Sequence, residues 1–411
     1  LTVPGQEARA IALLSQTHPD IVEALKAEGA AILVGERAAA VPGLLTTVDT
    51  LATATGAHLA WVPRRAGERG GIEAGLLPFL LPGGRPVADA GARREVQDAW
   101  GIDPAGVHAH APLPDRPGRS TTQILAALAD GSLGGLVAGG IDPRDFPDPG
   151  LARTALAASG FTVQLEVRSS EVSERADVVL PVAPAEEKNG TFVNWEGRVR
   201  PFGQAHVSHA RTDRQVLGML AAEMGEDLGV DDLEALHAQL AGLGLWGGAR
   251  GGVVFIEPPA ASPVGAGTGA APAASRADDS AVTGLDAVLA THKPMLDAGR
   301  LQDGEAFLAA TAMRPVARVA ADLAARLGLS GGEGVEIATT AGAVTLPAVV
   351  AGQVAPGTVW LPECSPGSMV RQTLRAGHGS RVRLSRIPTG PLPSTPTSAL
   401  TRTPNSTEVA R

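Results

Sequence analysis

Residues 176–198, ADVVLPVAPAEEKNGTFVNWEGR, bring Asp177, Glu186, Glu187, Asn194, Glu196 and Arg198 together with Gly190 and Gly197 in one short stretch. Carboxylates at this density suit acid–base chemistry or the clamping of a ligand, and the glycines let a backbone pass close to a neighbour. Acid–base work by Glu186, Glu187 or Glu196 requires a second carboxylate or a histidine at a defined distance, and the sequence marks none. Glu196 and Arg198 suit either an internal ion pair or a ligand clamp, with Gly190 and Gly197 marking tight turns in both cases. Packing between sheet domains is the reading these residues favour, and a vestigial or occupied ligand pocket is the alternative.

Other reactive side chains are sparse. Cys364 is the single cysteine, so it forms no internal disulfide and holds no zinc or iron-sulfur centre by itself. It reads as a strand-end thiol packed as a small hydrophobe. His206 with His209 and His108 with His110 are short pairs without a third ligand, which suits surface or capping histidines better than a metal site. Arg64, Arg65 and Arg69 form a basic loop that could attract an anion, but Glu68 sits inside it and a solvated surface or subunit contact is favoured. No catalytic residue and no metal ligand is assigned.

The elements that position these residues alternate between strand and helix through the first 230 residues. A helix over 20–28, a strand over 30–34, a helix over 44–55 ending at Gly56 and a strand over 59–62 make a βαβ unit. The pattern recurs with a helix over 120–129 capped by Ser120, a strand over 135–138, a helix over 151–158 and strands over 161–167 and 177–181. This predicts α/β architecture with doubly wound, Rossmann-like parallel sheets, whose ligands bind at the carboxyl ends of the strands. The loops Gly35–Arg37, Gly139–Asp142 and Ser169–Glu174 lie there. Helices over 213–224 and 231–240 follow. Residues 258–274 contain only Pro, Ala, Ser, Val, Gly and Thr and read as a linker, so the Gly265-x-Gly267-x-Gly269 spacing within them is no dinucleotide fingerprint. Beyond it, an amphipathic helix over 316–327 and strands over 334–339, 343–349, 358–361 and 381–384 predict a small β-barrel. The expected division is an α/β region over 1–256, a flexible linker over 257–282, a barrel over 283–386 and a disordered tail over 387–411, where five Pro and nine Ser or Thr gather.

Composition narrows the class. The 411 residues are 44% hydrophobic with a formal net charge of −9, enough to bury several cores. No run approaches the roughly 18 apolar residues of a membrane span and no signal peptide is visible, so direct membrane insertion is not expected and a cytoplasmic location is. Negative charge and 3% aromatic residues without Tyr speak against nucleic acid as a partner. The chain begins at Leu1 with no start signal, which predicts a fragment or a processed piece.

The segments ADVVLP, GTFVNWEGR, MLDAGRLQDGEAFLAATA, LGLSGGEGVEIATTAGAVTLPAVV and TVWLPECSPG resemble the molybdopterin oxidoreductase superfamily, from its third domain through its C-terminal dinucleotide-binding barrel. Within it, LAWVPRRAGERGGIEAG and LLPGGRP resemble the G-subunit family of bacterial NADH-quinone oxidoreductases, the large iron-sulfur component of respiratory complex I. The resemblance covers residues 30–384. It implies a parent protein whose iron-sulfur clusters sit on N-terminal cysteine-rich domains outside this segment, in a complex passing electrons from NADH to quinone. The segment itself is then a non-catalytic scaffold without a cofactor of its own, working among the other subunits of the peripheral arm at the cytoplasmic face of the plasma membrane. In cofactor-binding relatives, loops equivalent to Gly139–Pro143 and Ser169–Glu174 contact the nucleotide. The vestigial cleft this implies comprises Gly139, Gly140, Asp142, Ser169, Ser170, Asp177, Gly190, Asn194, Glu196 and Arg198. Here Glu171 and Glu174 beside Asp142 are expected to repel a pyrophosphate. The alternative implied by the superfamily is the body of an active, formate dehydrogenase-like molybdopterin enzyme.

Overall fold

The computed structural model describes residues 1–102, 112–230, 232–248, 284–300 and 302–387. The expected linker, the tail beyond Ile387, and His108 and His110 fall outside the described residues.

Strands Ala31–Gly35 and His58–Val62 run parallel in register Ala31 to His58, joined by the helix Leu44–Thr55. That helix buries Leu44, Val48 and Ala52 on one face, and the N–H of Gly56 closes it on Ala52 O. Val34 and Val41 complete its core. The helix expected over 20–28 is realised only as Pro19–Ala24, and none of its side chains is buried. Without an apolar face docked on a neighbour, a longer helix has little to hold it.

The second α/β stretch begins with Thr121–Ala129, where Ser120 and Gln123 cap each other reciprocally. Strands Leu136–Gly139, Thr162–Glu166 and Val178–Pro181 follow as a parallel sheet, with helix Pro149–Ala158 as the first crossover. The parallel strands therefore form two small sheets, one of two strands and one of three, where the alternation predicts a doubly wound sheet. After Pro181 the chain turns into an antiparallel hairpin, Gly190–Val193 with Val199–Phe202. The few residues between cannot supply the dozen or more that a parallel crossover requires.

Six strands close the C-terminal barrel in the order Leu285–His292, Thr358–Pro362, Ala317–Ala320, Ala343–Ala351, Gly334–Ala338 and Arg381–Arg386. The expected helix over 316–327 is corrected: Ala317–Ala320 is a barrel strand and only Ala321–Leu327 is helical. Ala317 and Val319 are buried while Arg318 between them is exposed, a period of two that pairing on both sides enforces. Leu285–His292 escapes the sequence pattern because its buried residues do not alternate strictly. Leu289, Val319, Ile337, Val359, Leu361 and Leu384 fill the barrel with no exposed surface, each contributing about 1.5–3 kcal/mol of burial.

The LLPGGRP segment acts as a fastener. Arg85 is 3% exposed, and its guanidinium donates to Glu95 Oε2 (2.9 Å), Pro82 O (3.0 Å), Gly244 O (2.8 Å) and Leu243 O (2.6 Å). It thereby caps the carbonyl end of helix Leu233–Leu243, where a cation also suits the helix dipole. The ring of Trp246 lies 5.8 Å from the guanidinium carbon, within cation–π range. Gly83, at φ 77°, admits no other residue, since a Cβ there would stand 2.2 Å from Gly244 O. Replacing Arg85 by Ala strands three carbonyls and is expected to lower stability by about 3 kcal/mol. Urea unfolding checks the magnitude, and faster amide exchange over 233–248 checks the place.

Candidate functional site

A cleft of about 250 Å³ opens where the strand ends Gly139 and Glu166 face the barrel side, lined by Ile141, Asp142, Pro143, Arg144, Ser170, Glu171 and Arg300. Asp142 caps the short turn Pro143–Asp145 by accepting the Arg144 N–H at 2.9 Å. The same carboxylate accepts from Arg144 Nε at 3.0 Å and Nη2 at 2.6 Å. Glu171 is held by Arg153, from helix Pro149–Ala158, at 2.6 and 3.2 Å. Beneath the cleft, Gln164 has no exposed surface and donates to Ser170 Oγ (3.0 Å) and Glu166 Oε2 (3.3 Å), while accepting from Ser173 Oγ (2.7 Å).

Arg300 arrives from the chain that follows the first barrel strand. It lies 3.7 Å from Glu166 Oε2 and donates to Arg168 O (2.8 Å) and Ser169 O (2.9 Å). Arg168 reaches back to Arg300 O and pairs with Asp303. Arg371 donates to Asp145 O at 2.6 Å and pairs with Glu363. The cleft is thus a seam between the three-stranded sheet and the barrel, sewn by guanidinium groups.

This geometry corrects the expected acidic, repelling rim. Asp142 and Glu171 each carry their own arginine, and Glu174 is exposed and not among the lining residues. Burial raises the Asp142 carboxyl, but the Arg144 hydrogen bonds and the charges of Arg144 and Arg300 outweigh it and hold the group below its ordinary value. The obstacle to a molybdopterin dinucleotide is different. The cleft is smaller than the roughly 300–1,000 Å³ of sites that enclose sizeable ligands, and its arginine donors already have partners within the chain. Its residues do not fit that group. Burial pushes the Cys364 thiol up, Asp297 and Asp145 add to this, and the opposing Arg144 does not cancel them. Among the described residues no three His, Cys, Asp or Glu side chains lie close enough to hold a metal ion.

The ten expected cleft residues separate in space. Asp142 and Ser170 line the cleft, and Gly139, Gly140 and Ser169 adjoin them in the chain. Asp177 instead accepts the Thr162 N–H at 2.7 Å, tying the start of one strand to the next. Gly190, Asn194, Glu196 and Arg198 belong to the hairpin and contribute nothing to the lining. Glu196 and Arg198 form an exposed pair at 3.2 Å, and Asn194 Oδ1 accepts the Arg198 N–H at 2.8 Å. Gly197 makes the expected turn, but Gly190 does not: it lies in a strand against Phe202, whose ring a Cβ would meet at 2.6 Å. Phe192 stacks on that ring at 4.9 Å, and Arg69 donates to Trp195 O at 3.4 Å, so the hairpin rests on helix Glu68–Glu73. Arg64, Arg65 and Arg69 face Glu36, Glu68 and Glu73, and His206 and His209 are exposed.

Sequence reasoning missed Gln164, Glu166 and Arg300. A signal existed for the first two: polar residues at alternate positions of the apolar strand FTVQLEV require buried partners. Arg300 carries no local signal.

The family described as Molybdopterin oxidoreductase matches residues 5–223, and that described as Molydopterin dinucleotide binding domain matches residues 302–406. The G subunit of NADH-quinone oxidoreductase from Mycobacterium tuberculosis (strain CDC 1551 / Oshkosh) is 47% identical over 387 residues, 93% of this chain and 44% of the relative. The protein of the same name from Streptomyces coelicolor is 46% identical over 94% of this chain and 42% of its own length. A nitrate reductase of Synechocystis is 33% identical over 40% of this chain and 22% of the relative. The chain spans less than half the length of these curated relatives.

Two outcomes follow from the seam. Because the folded Asp142 carboxyl is depressed, its stabilisation is complete above the ordinary carboxylate pKa of about 4 and is lost as pH falls through the folded value. Asp142→Asn is therefore expected to be less stable than the parent near pH 7 and to lose less on acidification to pH 3, read by urea unfolding at both. Cys364 should alkylate more slowly in the folded chain than in the urea-unfolded chain at pH 8. The gap should narrow only above the ordinary thiol value of 9.0.

Proposed function

The chain belongs to the molybdopterin oxidoreductase family, and from that premise we propose that it is a non-catalytic scaffold region of the G subunit of an NADH-quinone oxidoreductase. The observation that carries this reading is the seam itself. Arg144 and Arg300 line the cleft and Arg153 holds Glu171 in its wall, and each is bonded to a carboxylate or carbonyl of the same chain. Similarity to G-subunit relatives along 93% of the chain supports the same reading.

In this role the chain moves no electron. It packs as a shell that excludes water and holds its neighbours at fixed separation, while iron-sulfur clusters on the N-terminal part of the parent protein carry electrons from NADH toward quinone. Its partners are then other subunits of the peripheral arm, at the cytoplasmic face of the plasma membrane. No helix among the described residues is long and apolar enough to cross a membrane, which accords with a peripheral place. The α/β region over 1–256, the linker over 257–282 and the barrel over 283–386 are the units we assign to this scaffold.

A second reading, the body of a molybdopterin-dependent oxidoreductase, has in its favour the partial match to a nitrate reductase. Elemental analysis of the full-length gene product, with extraction of any pterin, separates the two. Iron without molybdenum or pterin is the expected result, and stoichiometric molybdopterin would overturn the scaffold reading.

A further inference from the structure

Between the short turn Ala185–Glu187 and the strand Gly190–Val193 the chain passes through Lys188 and Asn189. Asn189 is exposed, and its side-chain amide makes no hydrogen bond among the described residues. The residue after it is a glycine, which has no Cβ to hinder approach to its own backbone nitrogen. Gly190 pairs with Phe202 at the last rung of the hairpin ladder, and the ends of such ladders open most readily. An unbonded carboxamide is therefore joined to a backbone amide that is released whenever one rung frays.

Asn194, in the same hairpin, is the internal contrast. Its Oδ1 accepts the Arg198 N–H at 2.8 Å and its Nδ2 donates to Glu196 Oε2 at 3.2 Å. Trp195 follows it, so this side chain is both held and crowded where that of Asn189 is neither. Asp130 also precedes a glycine, but its Oδ1 accepts the Ser132 N–H at 2.9 Å, and the Gly131 N–H donates to Leu128 O at 3.2 Å. The remaining asparagine, Asn405, lies outside the described residues.

We propose that Asn189 is a site of self-modification, where the chain releases ammonia and acquires an aspartyl or isoaspartyl linkage with water as the only co-reactant. The Gly190 nitrogen gives up its proton and attacks Cγ of Asn189. The new C–N bond closes a succinimide ring as the bond from Cγ to the amide nitrogen breaks, and that nitrogen leaves with the proton as ammonia. Water then opens the ring at either carbonyl, so a water is taken up for the ammonia released and nothing is oxidised. Opening at the main-chain carbonyl routes the backbone through the side-chain carbon and lengthens it. Both products add a carboxylate beside Glu186, Glu187 and the Lys188–Asp213 pair. The lengthened backbone does more: the Phe202 ring stands 2.6 Å from where a Gly190 Cβ would be, so a shift of Gly190 disturbs that ring and its stack with Phe192. The inference goes beyond the scaffold reading and does not depend on it.

The test is prolonged incubation of the intact 411-residue chain at pH 7 and pH 9, followed by fragment-ion mass spectrometry and isoaspartate-specific methylation. Position 189 is expected to lose its amide while position 194 keeps it, and to lose it faster at pH 9, because the attacking nitrogen must be deprotonated. Amide exchange at Phe192 and Phe202 should quicken as isoaspartate accumulates. Asn189→Gln, whose longer side chain closes a larger ring, should abolish the isoaspartate with the unfolding midpoint unchanged. An intact amide at 189 in the folded chain, after an incubation long enough for the urea-unfolded chain to react, would overturn the proposal. So would equal loss at position 194, a rate indifferent to pH, or isoaspartate persisting in Asn189→Gln. Unchanged exchange at Phe192 and Phe202 after full conversion would overturn the effect on the hairpin.

Discussion

Guanidinium groups that donate to backbone carbonyls far away in sequence hold this chain together. Arg85 reaches Leu243 and Gly244, Arg300 reaches Arg168 and Ser169, Arg371 reaches Asp145, and Arg69 reaches Trp195. Each bond spans a gap that hydrophobic burial alone would leave loosely aligned. Arginine suits the task because it stays charged when buried and presents five donors in a fixed plane. The chain holds three lysines among its 34 basic residues, so this device is available almost everywhere. The arginine excess that looks like a compositional habit is, at these positions, structural.

The seam between sheet and barrel shows what such fastening does to a ligand site. A cleft at the carboxyl ends of parallel strands is where this architecture binds ligands. Here the loops are short, the acids and arginines pair with one another, and Gln164 is satisfied beneath them by Ser170 and Ser173. A fully connected polar network of this kind rigidifies its surroundings. Of the arginines lining the cleft, Arg300 joins the chain after the first barrel strand to Arg168 and Ser169. Rigidity and ligand access compete for the same donors, and in this molecule rigidity has them.

How much is legible in the sequence depends on whether the signal is local. Helix Leu44–Thr55 and helix Thr121–Ala129 are readable because Gly56 and the Ser120–Gln123 capping box lie within a few residues of the ends they set. The strand Ala317–Ala320 is not, because Ala and Val followed by Asp, Leu and Ala fit a helix as well as a strand, and pairing with strands on both sides decides between them. The residue pattern marks four barrel strands and the barrel closes with six, since Leu285–His292 and Ala317–Ala320 become strands only in contact with their neighbours. Among the ten cleft residues, Asp142 and Ser170 stand where the motif order puts them. The hairpin residues stand elsewhere because Gly190, Asn194, Glu196 and Arg198 serve a turn and an aromatic close approach, which look from sequence like a binding loop.

By itself, then, the sequence determined the succession of strands and helices in the first half, the presence of a small barrel in the second, and the family to which both belong. Those properties rest on periodicity, caps and motif order, all of which act over short stretches of chain. Tertiary structure decided that the parallel strands divide into two sheets, that the cleft acids are neutralised, and that the opening Glu196–Arg198 pair is an exposed turn. It also decided where Arg85 and Arg300 go. Their partners lie more than a hundred residues away, and a hydrogen bond depends on distance in space, which no local pattern of residues records.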